Sequence, residues 1–358
     1  MDEYAGDIAL AEHDPAAAQQ YWSESLRISP KTVRLLEKIA RAQQAQEKWD
    51  DANATWTRDI AIHDNATARV QRALCGRRLH HWETAFDDLH RAQQLAPEDP
   101  EVVRASKLFQ RLSTALPEIR ELDARLVLSP HDAGLLTDRA LLFLRCEDPE
   151  LALADCDLAM KAQSTAKRPR LFAGVALAEA GGRDELGKLG VVGNPRLNTF
   201  SPEFLQTLSR LDSEISAETE SADLYVTRAW QLNDVGQPGL ALEDAQTASR
   251  LDPKSAGAVA EASYALMKLG RADEAFDAAK RATELDPHFS TGWQYRGELE
   301  MQRRDLIAAV ESFSRALTIT QTATALQKRE QCYRELGLLV KAEEDSRAVA
   351  DLTARGMK

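Results

Sequence analysis

The chain has 358 residues and a net charge of −12, and only 6% of it is aromatic. Single cores stop growing at roughly 250–300 residues, so this length implies several domains or one elongated array. With 45 Lys and Arg against 57 Asp and Glu, the balance argues against a nucleic-acid partner, and the wealth of Ala, Leu and Glu favours helices over strands.

The chain opens on MDEYAGDIALAEHD, which is acidic and has no charged-then-apolar leader pattern. No apolar run reaches the roughly 18–20 residues that a membrane span requires. The expectation is a cytoplasmic protein without a membrane partner, in which the dispersed Cys75, Cys146, Cys156 and Cys332 are reduced thiols.

From there the sequence reads as recurring helix pairs. Trp22 and Trp56 lie 34 residues apart, and Trp49 and Trp82 lie 33 apart. Ala18, Ala52, Ala85 and Ala152 hold a small position in the second helix, and Pro30, Pro97 and Pro130 close units. The segment 99–131 matches least well; its second helix is expected within ALPEIRELDARLVLSP. The basic stretch KAQSTAKRPR at 161–170 is short and isolated, and reads as a solvated turn or, alternatively, a local anionic contact.

The middle breaks the period. Pro130 and Pro253 are 123 residues apart, 21 more than three repeats of 34. LFAGVALAEAGG reads as a first helix, RDELGKL is too short for a second, and GVVGNPRLNTF reads as loop. SPEFLQTLSRLDSEISA then has Ser201 as N-cap, Pro202 and Glu203 in the first turn, and an apolar stripe of Leu205, Leu208, Leu211 and Ile215. The expected organisation is a degenerate array over 1–183, an irregular loop and extra helix over 184–221 with 190–200 exposed and mobile, and a regular array with a capping helix over 222–358.

The last stretch is the clearest. Gly236 and Gly270, Ala241 and Ala275, Ala248 and Ala282, and two LDP triplets all recur at an offset of 34. Trp293, Gly297, Ala309, Phe313 and Ala316 continue the register, followed by Leu326, Tyr333, Gly337 and Ala342. Glycine suits the left-handed cap between helices, and alanine lets paired helices approach.

These spacings resemble the tetratricopeptide repeat family over nearly the whole chain. The resemblance implies an all-α fold: a right-handed superhelical solenoid of antiparallel helix pairs, about nine or ten repeats, irregular in the middle. It also implies a non-catalytic scaffold that binds a partner peptide or helix in its concave groove, as a possible component of a multi-protein complex. The alternative is a regulatory or substrate-recruiting arm of a larger enzyme. Groove-lining positions carry over to Val226, Trp230 and Asn233, then Ala260, Tyr264 and Met267, then Gln294, Glu298 and Met301, and finally Gln327, Gln331 and Arg334. Aromatic and Met side chains beside amides suit a peptide with apolar anchors; the competing reading is that they pack between repeats. The family's carboxylate clamp for chaperone tails is not matched, since Glu37 and Arg41 in one frame and Val226 and Trp230 in another hold its places.

Nothing in the sequence assembles a catalytic site. GxxxxGK[ST], GxGxxG, HExxH and GxSxG patterns are absent. His80, His81 and His90 form the only local histidine cluster; His81 and His90 would face opposite sides of a helix, and His80–His81 reads as a turn. Cys156 stands between Asp155 and Asp157, carboxylates that raise a thiol pKa, and occupies a packing position. No catalytic residue, metal or cofactor is expected.

Overall fold

The computed structural model describes every residue except 1, 31, 181–187, 190, 192–194, 196, 198–199, 219 and 355–358. The described residues form nineteen helices and no strand. They divide into two compact units, one of Met1–Pro130 with Arg145–Leu151, the other of His131–Leu144 with Ala152–Lys358.

The first unit holds three helix pairs. These are α1 (Asp2–Ala11) with α2 (Pro15–Ile28), α3 (Val33–Ala45) with α4 (Trp49–Ile62), and α5 (Ala66–Arg78) with α6 (Trp82–Leu95). Trp22 and Trp56 are fully buried in successive second helices, as their spacing predicts. The pair expected over 99–131 is instead one 29-residue helix, α7 (Pro100–Leu128). No residue of this stretch has a positive φ, so nothing reverses the chain. Pro117 removes one hydrogen bond without ending the helix, whose Phe109, Leu112 and Ile119 stay buried on either side of it.

The second unit begins with α8 (Ala133–Arg145) as far as Leu144 and α9 (Pro149–Ala162) from Ala152, followed by α10 (Arg168–Ala180) and α11 (Pro202–Ala217). Four regular pairs complete it: α12 (Ala222–Asp234) with α13 (Pro238–Leu251), α14 (Ala256–Lys268) with α15 (Ala272–Leu285), α16 (Ser290–Gln302) with α17 (Leu306–Ile319), and α18 (Ala323–Glu335) with α19 (Leu339–Ala354). Each unit is thus a helical solenoid built from neighbouring pairs.

Three recurrent devices shape the pairs. The first is alanine: Ala18, Ala52, Ala85, Ala152, Ala241, Ala275, Ala309 and Ala342 are all buried where second helices meet first ones. The second is the turn. His13, Glu47, His80, Glu147, Gly236, Gly270, Arg304 and Gly337 all have φ between 55° and 77° at one register position. The Gly236 amide donates to the Asn233 carbonyl at 3.1 Å and the Gln237 amide to the Leu232 carbonyl at 2.8 Å, which closes the helix end. Only three of these eight positions carry the glycine that suits them.

The third device is an arginine of the first helix held side-on by an aspartate sixteen residues later. In Arg72–Asp88, Arg139–Asp155, Arg228–Asp244 and Arg329–Asp345, Nε donates to Oδ2 and Nη2 to Oδ1 at 2.6–2.9 Å. Such bidentate pairs are short, charge-assisted and directional.

The irregular segment is locked to the second unit by charge. The α11 carboxylate of Asp212 accepts from the backbone amides of Lys167 and Arg168, at 3.1 and 2.9 Å, and so caps the start of α10. Arg228, with no exposed side-chain surface, bridges Asp212 at 2.6 Å and Asp244 at 2.7 Å. Lys167 also pairs with Glu243 at 2.7 Å, and Arg168 and Arg170 pair with Asp138 and Glu243. The basic run is therefore not a solvated turn: Lys167 and Arg168 are buried, because the inserted α11 brings Asp212 over them. Ser201 caps α11 through its Oγ, with Pro202 and Glu203 in the first turn. Within the expected exposed loop at 190–200, Val191, Pro195 and Phe200 are buried, Val191 against Gly174 of α10. Lys188, Leu189 and Leu197 are also described; positions 181–187 and the rest of 190–200 lie outside the described residues.

Candidate functional site

The first helices α12, α14, α16 and α18 pack side by side, and the predicted groove positions lie along them. Trp230 is half exposed, at 50%, whereas Trp22, Trp56, Trp82 and Trp293 are buried in packing and Trp49 is half-buried. Val226 lies against Gly257, where an added Cβ would come within 3.3 Å of it. Tyr264, in register with Trp230 one helix on, stacks on Tyr295 of α16 with ring centroids 4.8 Å apart, and the exposed Lys268 sets its ammonium 4.9 Å from the Tyr264 ring centre.

Beyond these aromatics a cleft of about 390 Å³ opens between α16, the start of α17 and α18. Glu298, Met301 and Gln331, all predicted, line it together with Arg304, Leu306 and Lys328. Gln294 is half-buried and its amide lies 3.4 Å from both Ser290 and Thr322 hydroxyls. Gln327 is exposed, and Arg334 is exposed but tied to Glu330 at 2.7 Å. Three predicted residues do not face solvent: Asn233, Ala260 and Met267 are buried.

Asn233 has a specific partner there. Its amide donates to Oε2 of Glu261 at 2.8 Å, and the Tyr295 hydroxyl meets the other carboxylate oxygen at 3.5 Å. Glu261 is 4% exposed, and burial pushes its carboxyl up to about 7. Sequence reasoning missed Glu261 and Tyr295, which sit one place after groove positions 260 and 294; their offset of 34 is the signal that could have found them.

Elsewhere the polar clusters are structural. The His80 ring and the Trp82 indole both bond Asp123 of α7, at 3.0 and 2.8 Å, which ties the turn to that helix. No group of three metal-ligating side chains occurs among the described residues. All four cysteines are buried free thiols; burial pushes Cys75 and Cys332 up to about 11 and Cys156 well above the usual thiol range, so none is held as a thiolate at neutral pH. No described helix is long and apolar enough to cross a membrane.

Paired helices of 13 and 14 residues, a left-handed turn and alanine contacts recur in one register in both units. This is the fold of a solenoid of tetratricopeptide-like helix pairs. No family model matches the chain. Its sequence is 34% identical over 73 residues to the small glutamine-rich tetratricopeptide repeat-containing protein 2 of Mycosarcoma maydis. That match covers 20% of this chain, and spans 21% of the length of that relative. Similar solved structures include MamA, with 17% identity, TM-score 0.36 and coverage of 44% of this chain and 98% of that one. The P58(IPK) TPR domain has 17% identity and a TM-score of 0.31 over 94% of this chain and 98% of that one. Yeast Tom70 has 12% identity and a TM-score of 0.31 over 98% of this chain and 90% of that one.

Proposed function

We propose that this protein is a non-catalytic interaction scaffold that holds a peptide or helix of a partner in the groove of α12, α14, α16 and α18. The observation that carries the reading is Trp230. It is half exposed on a first-helix face while the tryptophans at 22, 56, 82 and 293 are buried. Large aromatic side chains held in place by a rigid helix bind at low entropic cost and dominate interface energies. The aromatic pair at Tyr264 and the cleft at Glu298, Met301 and Gln331 extend the same face over three further helices. Apolar anchors separated by amides and charges suit an extended or helical segment.

The test is selection of random dodecapeptides displayed on phage against the full chain, followed by affinity measurement with labelled synthetic copies. Trp230→Ala combined with Tyr264→Ala is expected to weaken the selected peptides by thirtyfold or more, since hot-spot truncations cost at least about 2 kcal/mol. Circular dichroism should remain unchanged. Selected peptides that bind the double variant as well as the parent would sink the groove assignment.

A further inference from the structure

We propose that the partner segment places a basic side chain, arginine or lysine, on the groove surface above Glu261, beside the Tyr264–Tyr295 ring pair and in place of the Lys268 ammonium. This inference rests on the groove reading and specifies the chemistry of the ligand. Glu261 is a buried carboxylate whose partners are an amide and a phenol, and it forms no ion pair among the described residues. Asp88, Asp155, Asp244 and Asp345, buried to a similar depth, each hold an arginine, whereas Asp59 of α4 holds none. A buried acid without a counter-ion is costly, and it is neutralised either by a proton or by a cation.

A second observation points the same way. The Asn233 side chain is 5% exposed, and its Oδ1 atom has no hydrogen-bond partner. That acceptor lies beside Glu261, so a donor is missing from the same spot that lacks a positive charge. The ring face is suited to a cation as well: Lys268 already lies over Tyr264, and its exposed stem can swing away.

The charges around Glu261 make the site one-sided. From α12, Asn233 is followed by the exposed Asp234; from α16, Tyr295 and the half-buried Glu298 face it; on α14 itself stand Tyr264 and Lys268. The helices α13 and α15 pack on the other side, where Arg250, Asp277 and Arg281 line a separate outer cleft with Val259 and Ala262. Lys268 is thus the one cation on this face of α14, and it is the group that a ligand cation displaces.

Proton and cation compete for Glu261. With its carboxyl raised to about 7, the unliganded groove is substantially protonated at neutral pH. A basic ligand favours the ionised form and releases the proton, so binding strengthens as pH rises through that value. For one such group, affinity is expected to fall about tenfold between pH 8 and pH 6.

The experiment uses dodecapeptides selected from the phage library at pH 8 that lose affinity in Trp230→Ala. These peptides are expected to carry an Arg or Lys whose replacement by citrulline or norleucine weakens binding tenfold or more in the parent. In Glu261→Gln the same replacement and the shift from pH 8 to pH 6 should each change affinity less than threefold. Calorimetry in two buffers of different ionisation enthalpy should show a proton released near pH 6.5 by the parent and none by the variant. The peptide-side replacement needs no protein variant, so the idea is testable even if Glu261→Gln does not fold. Trp230-dependent peptides with no basic residue, or with one replaceable without loss, overturn this inference and leave the groove reading standing. A library that yields only Trp230-independent peptides, or none, overturns both.

Discussion

Arg228 is the charge on which the inserted helix depends, and removing it should be felt locally and strongly. Its guanidinium makes three charge-assisted hydrogen bonds, two to Asp244 at 2.7 and 2.8 Å and one to Asp212 at 2.6 Å. Arg228→Met keeps the aliphatic stem but leaves two buried carboxylates without their counter-ion. Breaking one partner of a buried pair costs about 3–5 kcal/mol, and here Lys167, 3.7 Å from Asp244, offsets part of that loss. We expect about 3 kcal/mol. Because repeats contact only their neighbours, the loss should concentrate near the lesion rather than spread evenly. Hydrogen exchange read by mass spectrometry resolves this: amides of α11 to α13 should lose about a hundredfold in protection, and those of α18 and α19 little. The double variant Arg228→Met with Asp244→Leu should recover about 2 kcal/mol, since only Asp212 then remains, and it keeps its two backbone donors. The reasoning fails if the single variant costs under 1 kcal/mol, or if the double variant is no more stable than the single.

Three other outcomes follow from particular contacts. The carboxyl of Glu261 lies at about 7 in the folded chain against an ordinary 4.5, so its stabilising proton is fully present below pH 4.5 and lost as pH rises through 7. Urea unfolding should show Glu261→Gln gaining about 3 kcal/mol on the parent between pH 4.5 and pH 8, and parallel profiles would refute the shift. A Cβ at Gly297 would stand 2.9 Å from the buried Phe313 ring, so Gly297→Ala should cost about 1–3 kcal/mol in thermal unfolding, and a neutral substitution would show that the ring yields. Glu47 is exposed at φ 57°, so Glu47→Gly should raise the melting temperature through about 1 kcal/mol of relieved strain, while Glu47→Ala should not.

The helix pairs were legible where local chemistry and spacing agree. Gly236, Gly270 and Gly337 announce left-handed turns because no other residue suits them so well. The same turn at His13, Glu47, His80, Glu147 and Arg304 is invisible residue by residue, since packing on either side forces the conformation and absorbs its strain. In α7, Pro117 suggests a boundary, but a proline alone cannot reverse a chain whose apolar stripe continues beyond it. Lys167 and Arg168 read as solvated because Asp212, more than forty residues away, reaches them only through the inserted helix. At the groove, the exposure of Trp230 follows from its place one residue after the small Ala229. The burial of Asn233 does not, because it depends on Glu261 of the next first helix, 28 residues away.

The sixteen-residue arginine–aspartate pair sets a rule for recombining this array. In α14 and α15 the corresponding positions are Ala262 and Ala278, so charge is absent from both sides at once. A first helix carrying Arg228, joined to a second helix carrying alanine, would lose two of its three hydrogen bonds; the reverse graft would leave the buried Asp244 carboxylate without its guanidinium. Either chimera loses several kcal/mol, whereas moving α18 with α19, or α14 with α15, as an intact couple carries its own neutralisation along. The smallest transplantable module of this chain is therefore the pair, and a shuffled library cut between pairs should fold far more often than one cut within them.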